Sequence, residues 1–528
     1  MHPQLKSNYD AVVIGSGHNG LVAAAYLAKA GKSVLVLERN GAFGGATAST
    51  RVFPDYEALL SRYSYLVSLF PEKIIRDLEL NFTTRRRSTA SFTPWRDGTG
   101  KHRGLVLSNV DEARSRESMF ELIGRHSGWN RYQEFLSLQS TIGKLIWPSM
   151  LQRLRSRSSF ESVLQTEEQK RAWRSFVERP LGEVIEAYAD HDALRGLLLT
   201  DGKIGVFTHA HDPSLLQNRC FLYHVIGNET GQWRVPVGGM KSLVDSLVER
   251  CRSLGVQLLS DATALAIDRG EPTHEVTFAA EGVEHSSTAR DVLVNAGPRT
   301  FASLLQLPWE PSREDEGSVI KINMLLKRLP RLKAAGVSSS EAFCGSFHID
   351  EGYEQLESSY RSASRREIPS PAPGEVYCHT LTDSSILSGE LQQRGLHTLT
   401  LFGLDMPWRL FESDHDRRRS QVAELYLRGL NNLCDEPFED CLAFDASGQP
   451  CIEIKTPQDL QSEIDLDQGN IFHNALTWFY GDDDQVGSWG VETEYPRIYR
   501  AGASAVRGGA VSGIPGHNAA MCILQMEC

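Results

Sequence analysis

The most regular pattern of apolar and polar positions opens the chain. Residues 11–14 form an unbroken apolar run and predict a buried parallel strand. The alanine-rich stretch 21–30 predicts a helix that Gly31 ends, and 34–37 predicts a second strand with Glu38 at its tip. Farther on, residues 113–124, 132–150 and 183–199 carry apolar side chains at i, i+3 and i+4 spacing and read as helices. Residues 59–80 are dense in aliphatic and aromatic side chains around Pro71, which predicts a pair of core helices.

Strand signals return in the second half. Val237-Gly238-Gly239-Met240 precedes an amphipathic helix over 242–253, followed by strands over 256–259 and 263–268. Residues 292–298 read as another buried strand running into a turn. The run 319–326 predicts a strand of a second sheet, with 343–349 and 398–403 as companions, 418–433 as a covering helix and 361–374 as a surface loop. At the end, a short strand from Ile498 leads into a glycine-rich turn over 502–516 and a small-residue helix over 517–524. The order predicts an α/β protein whose first unit is discontinuous, built from 1–75, 230–300 and 488–528. A helical segment, 76–229, and a sheet segment, 301–487, together form the substrate domain.

The opening motif has a defined chemistry. Gly15, Gly17 and Gly20 stand at G-x-G-x-x-G spacing between strand and helix, the context that makes this spacing a dinucleotide signature. Gly15 allows the tight turn, Gly17 lets a pyrophosphate approach the backbone, and Gly20 brings helix and strand together. The free N–H groups at the helix start favour phosphate. Glu38, 18 residues beyond Gly20, is placed to accept hydrogen bonds from ribose hydroxyls. A carboxylate there would repel a 2′-phosphate, which disfavours NADP. The Gly44-Gly45 pair so soon afterwards predicts a second close approach of backbone to ligand, and the glycines of 502–516 predict a third.

Length and composition narrow the rest. A chain of 528 residues suits two or three domains. A net charge of −12 argues against a nucleic-acid partner despite the arginine clusters at 85–87 and 153–157. The nine cysteines are scattered without a C-x-x-C pair, which disfavours dithiol redox chemistry and a zinc site, and no metal is expected. No apolar run reaches the ~18 residues that span a bilayer, and too little chain precedes the first strand for a targeting peptide, so a cytoplasmic protein is expected. Among the histidines, His209, His211 and His224 draw attention, but a structural role is the expectation for each.

Asp10-Ala11-Val12-Val13-Ile14-Gly15-Ser16-Gly17-His18-Asn19-Gly20, with Gly238-Gly239-Met240, Lys321-Ile322-Asn323, Gly469-Asn470-Ile471-Phe472-His473 and the 502–516 run, resembles the phytoene-desaturase-related FAD-dependent oxidoreductases. The matches span nearly the whole chain in order. The resemblance implies a Rossmann-type FAD-binding domain of the amine-oxidase-like kind and a mixed-sheet plus helical substrate domain. It also implies hydride transfer from a C–H bond of an apolar or conjugated small molecule, with carotenoid or polyene desaturation, isomerisation or ketolation at a membrane surface, or FAD binding without turnover, as alternatives. Peripheral membrane contact belongs to that expectation, and the oligomeric state is left open. The FAD contacts it implies are Gly15, Gly17, Gly20, Glu38, Arg39, Gly44, Gly45, Ala46, Gly502, Gly509, Val511 and Ser512. No catalytic residue follows, and His473 is the first to test.

Three departures matter. Amine oxidases usually carry an arginine after the second glycine pair, where this chain has Ala46, so amine oxidation is disfavoured. Val506-Arg507 replaces the family's His-Pro, and the aromatic run Trp478-Phe479-Tyr480 replaces a more polar segment. Core packing is the expectation for those three aromatics over a place in the pocket wall.

Overall fold

A computed structural model describes residues 5–526. The first sheet has seven strands. Asn8–Ile14 lies between Val34–Leu37 and Val283–Val294, parallel to both, and Gln257–Leu259 extends the sheet beyond Val34–Leu37. Val283–Val294 is long enough to serve two neighbourhoods. Its first half pairs antiparallel with His274–Ala280, which pairs in turn with Ala262–Asp268, and its last three residues pair with Ile498–Arg500. Strands from the start, middle and end of the chain thus share one sheet, and all four residues of Val34–Leu37 are buried, as a central parallel strand requires.

The helix His18–Lys29 packs between Lys241–Ser253 and the C-terminal helix Ile514–Gln525. Its small residues make this contact close. A side chain at Gly516 would lie 2.0 Å from the Asn19 carbonyl oxygen, so only glycine lets the two helices meet there.

The second sheet also has seven strands, in the spatial order Ile452–Lys455, Ile320–Leu326, His397–Gly403, Gly374–Tyr377, Ser346–Ile349, Thr89–Arg96 and His102–Ser108. Helices between residues 112 and 225 form a third layer with its own aromatic core, including Phe135, Phe160, Trp173, Phe176 and Phe221. Phe479 joins that core edge-on to Phe160, with Trp478 and Tyr480 beside it, so this aromatic run is packing. The eight described cysteines are buried and unpaired; Cys528 lies outside the described residues. Among the described residues, no helix is long and apolar enough to cross a membrane.

Several elements differ from the pattern-based expectation. Residues 59–80 hold only one short helix, Glu72–Asp77, starting after Pro71. The preceding stretch is extended because its backbone carbonyls are used elsewhere: Lys321 donates to the carbonyl oxygens of Ser61 and Tyr63. Residues 89–108, inside the segment expected to be helical, form a hairpin whose first strand lies parallel to Ser346–Ile349. The expected helix over 183–199 is two, Leu181–Tyr188 and Asp192–Thr200; the His191 ring between them accepts the Ala193 N–H. Residues 361–374 begin as the end of a helix, Tyr353–Ser364, before becoming a loop.

Candidate active site

One cavity of about 470 Å³ runs from the edge of the first sheet to the face of the second. Its nucleotide end is built on the first βαβ unit. Gly15 has a φ of +94°, and a Cβ there would lie 2.4 Å from the Asn295 carbonyl oxygen. A side chain at Gly20 would lie 2.2 Å from the Gly15 carbonyl oxygen, so this glycine serves helix–strand packing. Gly17 lines the cavity, as do Gly45 and Ala46 beside it.

Glu38 lines the cavity and is almost fully buried. Its Oε2 accepts from the Ser16 N–H at 3.0 Å and the Ser16 hydroxyl at 2.6 Å, and its Oε1 accepts from the Asn40 N–H at 2.9 Å. Each carboxylate oxygen has further acceptor capacity for a ribose hydroxyl. Arg39 also lines the cavity, its guanidinium reaching towards Asp465 and the Glu463 carbonyl.

Of the other expected contacts, only Val511 lies on the cavity wall. The remaining glycines act one layer back: a Cβ on Gly44 would meet Val244, one on Gly502 the Asn295 side chain, and one on Gly509 the Phe472 ring. Ser512 is buried, and its hydroxyl accepts the Ile514 N–H at the start of the last helix. These residues shape the cradle from behind.

Asn295 was not singled out by the sequence, yet it joins all three stretches. Its Nδ2 donates to the Gly15 carbonyl at 3.0 Å and approaches that of Gly17 at 3.4 Å, while its side chain packs on Gly502. An Asn-Ala-Gly run ending a buried strand was the available signal.

His473 does line the cavity, with a φ of +67°. Its Nδ1 is buried without a hydrogen-bond partner. His18, whose Nδ1 lies 2.9 Å from the Thr47 hydroxyl, is its electrostatic neighbour. Burial pushes both rings down to about 4, so both are neutral at pH 7. His18 is the first residue of the helix that follows the glycines, so this pair belongs to the nucleotide end of the cavity. Of the other histidines, His211 pairs with Glu186 and His209 lies beside Glu357, both outside the cavity. His224 is on the cavity wall, with its Nδ1 2.8 Å from the Cys220 carbonyl.

The rest of the lining combines apolar residues, Ile204, Phe402, Ile471 and Phe472, with polar ones, Tyr65, Asp201, Lys321, Glu375 and Tyr377. Lys321 is fully buried, and burial drives its ammonium far below the usual lysine range; besides its two carbonyl acceptors it lies 4.7 Å from the Tyr65 ring. Burial, reinforced by nearby Glu351, raises Glu375 to about 8, and the Tyr377 hydroxyl donates to it. Burial also raises the Asp201 carboxyl above its ordinary range. Sequence reading missed these residues because they come from different segments. The one local signal was Lys321, a charge in an otherwise apolar strand.

The cradle fits FAD. Small residues leave room for phosphate at the helix start, an acid stands at the strand tip, and the cavity continues past a neutral histidine pair with unused ring nitrogen capacity. A model of flavin containing amine oxidoreductases matches residues 20–383. The Mycobacterium tuberculosis protein Rv0897c is 40% identical over 525 residues, covering 98% of this chain and 97% of its own. Pyridine nucleotide-disulfide oxidoreductase domain-containing protein 2 of Rattus norvegicus is 28% identical over 99% of this chain and 94% of its own. Among solved structures, cyclohexylamine oxidase from Brevibacterium oxydans superposes with a TM-score of 0.54 at 14% identity, covering 98% of this chain and all of that one, a likeness of fold. The chain belongs to the flavin containing amine oxidoreductase family and is an FAD-dependent oxidoreductase.

Proposed function

We propose that this chain oxidises a small, largely apolar or conjugated molecule at a C–H bond. The reading rests on one observation: the nucleotide cradle and the apolar wall formed by Ile204, Phe402, Ile471 and Phe472 belong to a single cavity. FAD supplies the hydride acceptor when bound. The chain's own residues hold the cofactor, position the substrate and exclude water. Gly15 and Gly17 admit the pyrophosphate, and Glu38 orients a ribose. Ile204, Phe402 and Phe472 surround the body of the substrate, while Asp201, Glu375 and Tyr377 meet a polar group at its other end. Ala46, where amine oxidases usually carry arginine, supports a substrate other than a simple amine.

The test is anaerobic. Holoprotein is mixed with fractions of a metabolite extract and the flavin absorption band is followed. At least one fraction should bleach it, and Ile204→Trp, which fills the apolar half, should slow bleaching at least tenfold while retaining FAD. Failure of every fraction to bleach the band, or undiminished bleaching in Ile204→Trp, would count against this substrate site.

A further inference from the structure

Beside the cavity lies a buried cluster that neither the cradle nor the apolar wall explains. His348 and Glu375 are direct cross-strand neighbours in the antiparallel pair Ser346–Ile349 and Gly374–Tyr377. Residues so paired place their side chains on the same face of a sheet, with Cβ atoms about 5 Å apart. Asp350, at a φ of +50°, turns the chain sharply after the first strand and brings Glu351 back onto His348. One ligand-type atom from each of His348, Glu351 and Glu375 lies within 4.8 Å of the other two. All three residues are only 3% exposed.

Two further observations point to a ligand. Glu351 Oε2 is held by His348 Nδ1 and by the Thr200 hydroxyl at 3.0 Å, but its Oε1 is buried and accepts no hydrogen bond. Asp201, which interacts electrostatically with His348 and Glu351, faces the cavity, and its carboxylate accepts no hydrogen bond from the described residues. Glu351 and Glu375 are thus both buried, with Asp201 coupled to them from the cavity wall. Isolated buried carboxylates are costly unless paired, protonated or bound to a metal. A divalent cation held by these ligand atoms would supply compensating positive charge.

We propose that His348, Glu351 and Glu375 bind one divalent cation of the class that accepts mixed imidazole and carboxylate ligands, such as Zn²⁺ or Mn²⁺. Imidazole suits zinc, and carboxylates suit manganese. Protonation of His348 and of a carboxylate would offset the same cost, and this is the rival state the experiment separates. Because Glu375 also lines the cavity, the cation would face an oxygen group of the substrate; this last step alone rests on the function proposed above.

The experiment uses holoprotein stripped with a chelator and dialysed, titrated calorimetrically with Zn²⁺ and separately with Mn²⁺, with the flavin spectrum recorded throughout. One equivalent of at least one ion should bind to the wild-type chain. Binding should weaken at least tenfold in Glu351→Gln, which keeps the side-chain shape, and in Glu375→Gln, which guards against a folding defect in the first variant. Both variants should keep the wild-type flavin spectrum. No stoichiometric binding of either ion, or binding undiminished in a variant that retains FAD, would overturn the proposal and leave the cluster a protonated network.

Discussion

Glu38 does two things with one carboxylate. It ties the backbones of Ser16 and Asn40 together at the strand tip, and it lines the cavity. Its place was legible because strand, glycines, helix and second strand occur in sequence order within forty residues of chain. His473 was legible as a residue to test, but its location beside His18 was not, because the two meet only in the fold. This pair gives a pH prediction with a definite sign. Their rings are held near 4, below the ordinary 6.5, so the unfolded chain binds protons more readily than the folded one over that interval. Stability is then full above about pH 6.5 and is lost as pH falls towards 4, each ring contributing a slope approaching about 1.4 kcal/mol per pH unit. Denaturant unfolding of the holoprotein at a series of pH values should show this fall, and His473→Asn should flatten it. An unchanged slope in the variant would show that the ring is not held neutral.

At the scale of elements, the turn that carries Val511 to the cavity is fixed by a residue the family pattern did not lead one to expect. Arg507 is fully buried and donates to the carbonyl oxygens of Ser149 at 2.6 Å, Gln152 at 2.7 Å and Trp489 at 3.3 Å. Burial lowers its guanidinium only to about 10, so it stays charged at neutral pH. Arg507→Met would leave these carbonyls unpaired and should cost at least about 3 kcal/mol of unfolding free energy, since each buried acceptor left without a donor costs about 1–3 kcal/mol. Thermal melts of the two proteins check this, and a loss under about 1 kcal/mol would contradict it. The elements that sequence reading missed share a cause. The segment over 59–80 has helix-like apolar density, but Lys321, more than 240 residues away, takes the carbonyls that a helix would use. The hairpin over 89–108 is short and mixed in polarity, and its edge is satisfied by a strand from residue 346 onwards. Local periodicity carries neither fact.

Across the whole molecule, the design is one of convergence. The first sheet joins strands from residues 8, 283 and 498, and the second joins strands from 89, 320 and 452, so each end of the cavity is assembled from distant chain. This explains which half of the site could be read from sequence. The cradle is dominated by one contiguous βαβ unit and by glycines whose spacing reports backbone geometry. The far wall takes Asp201 from a helix end, Lys321 and Glu375 from separate strands, and Phe472 from a loop; the motifs around Lys321 and Phe472 are visible in sequence, but their meeting in one wall is not. The same convergence makes a strong demand on cofactor binding, since three separated stretches must each matter to one molecule of FAD. The direct measurement is a fluorescence titration of FAD into apoprotein for the wild-type chain and for Glu38→Gln, Asn295→Ala and Val511→Asp, one change in each stretch. The wild-type chain should take up a single FAD, and each variant should bind it at least tenfold more weakly while keeping its secondary structure. Uptake unaffected by the changes at 295 and 511, or no stoichiometric uptake by the wild-type chain, would contradict the assembly of this site from three stretches.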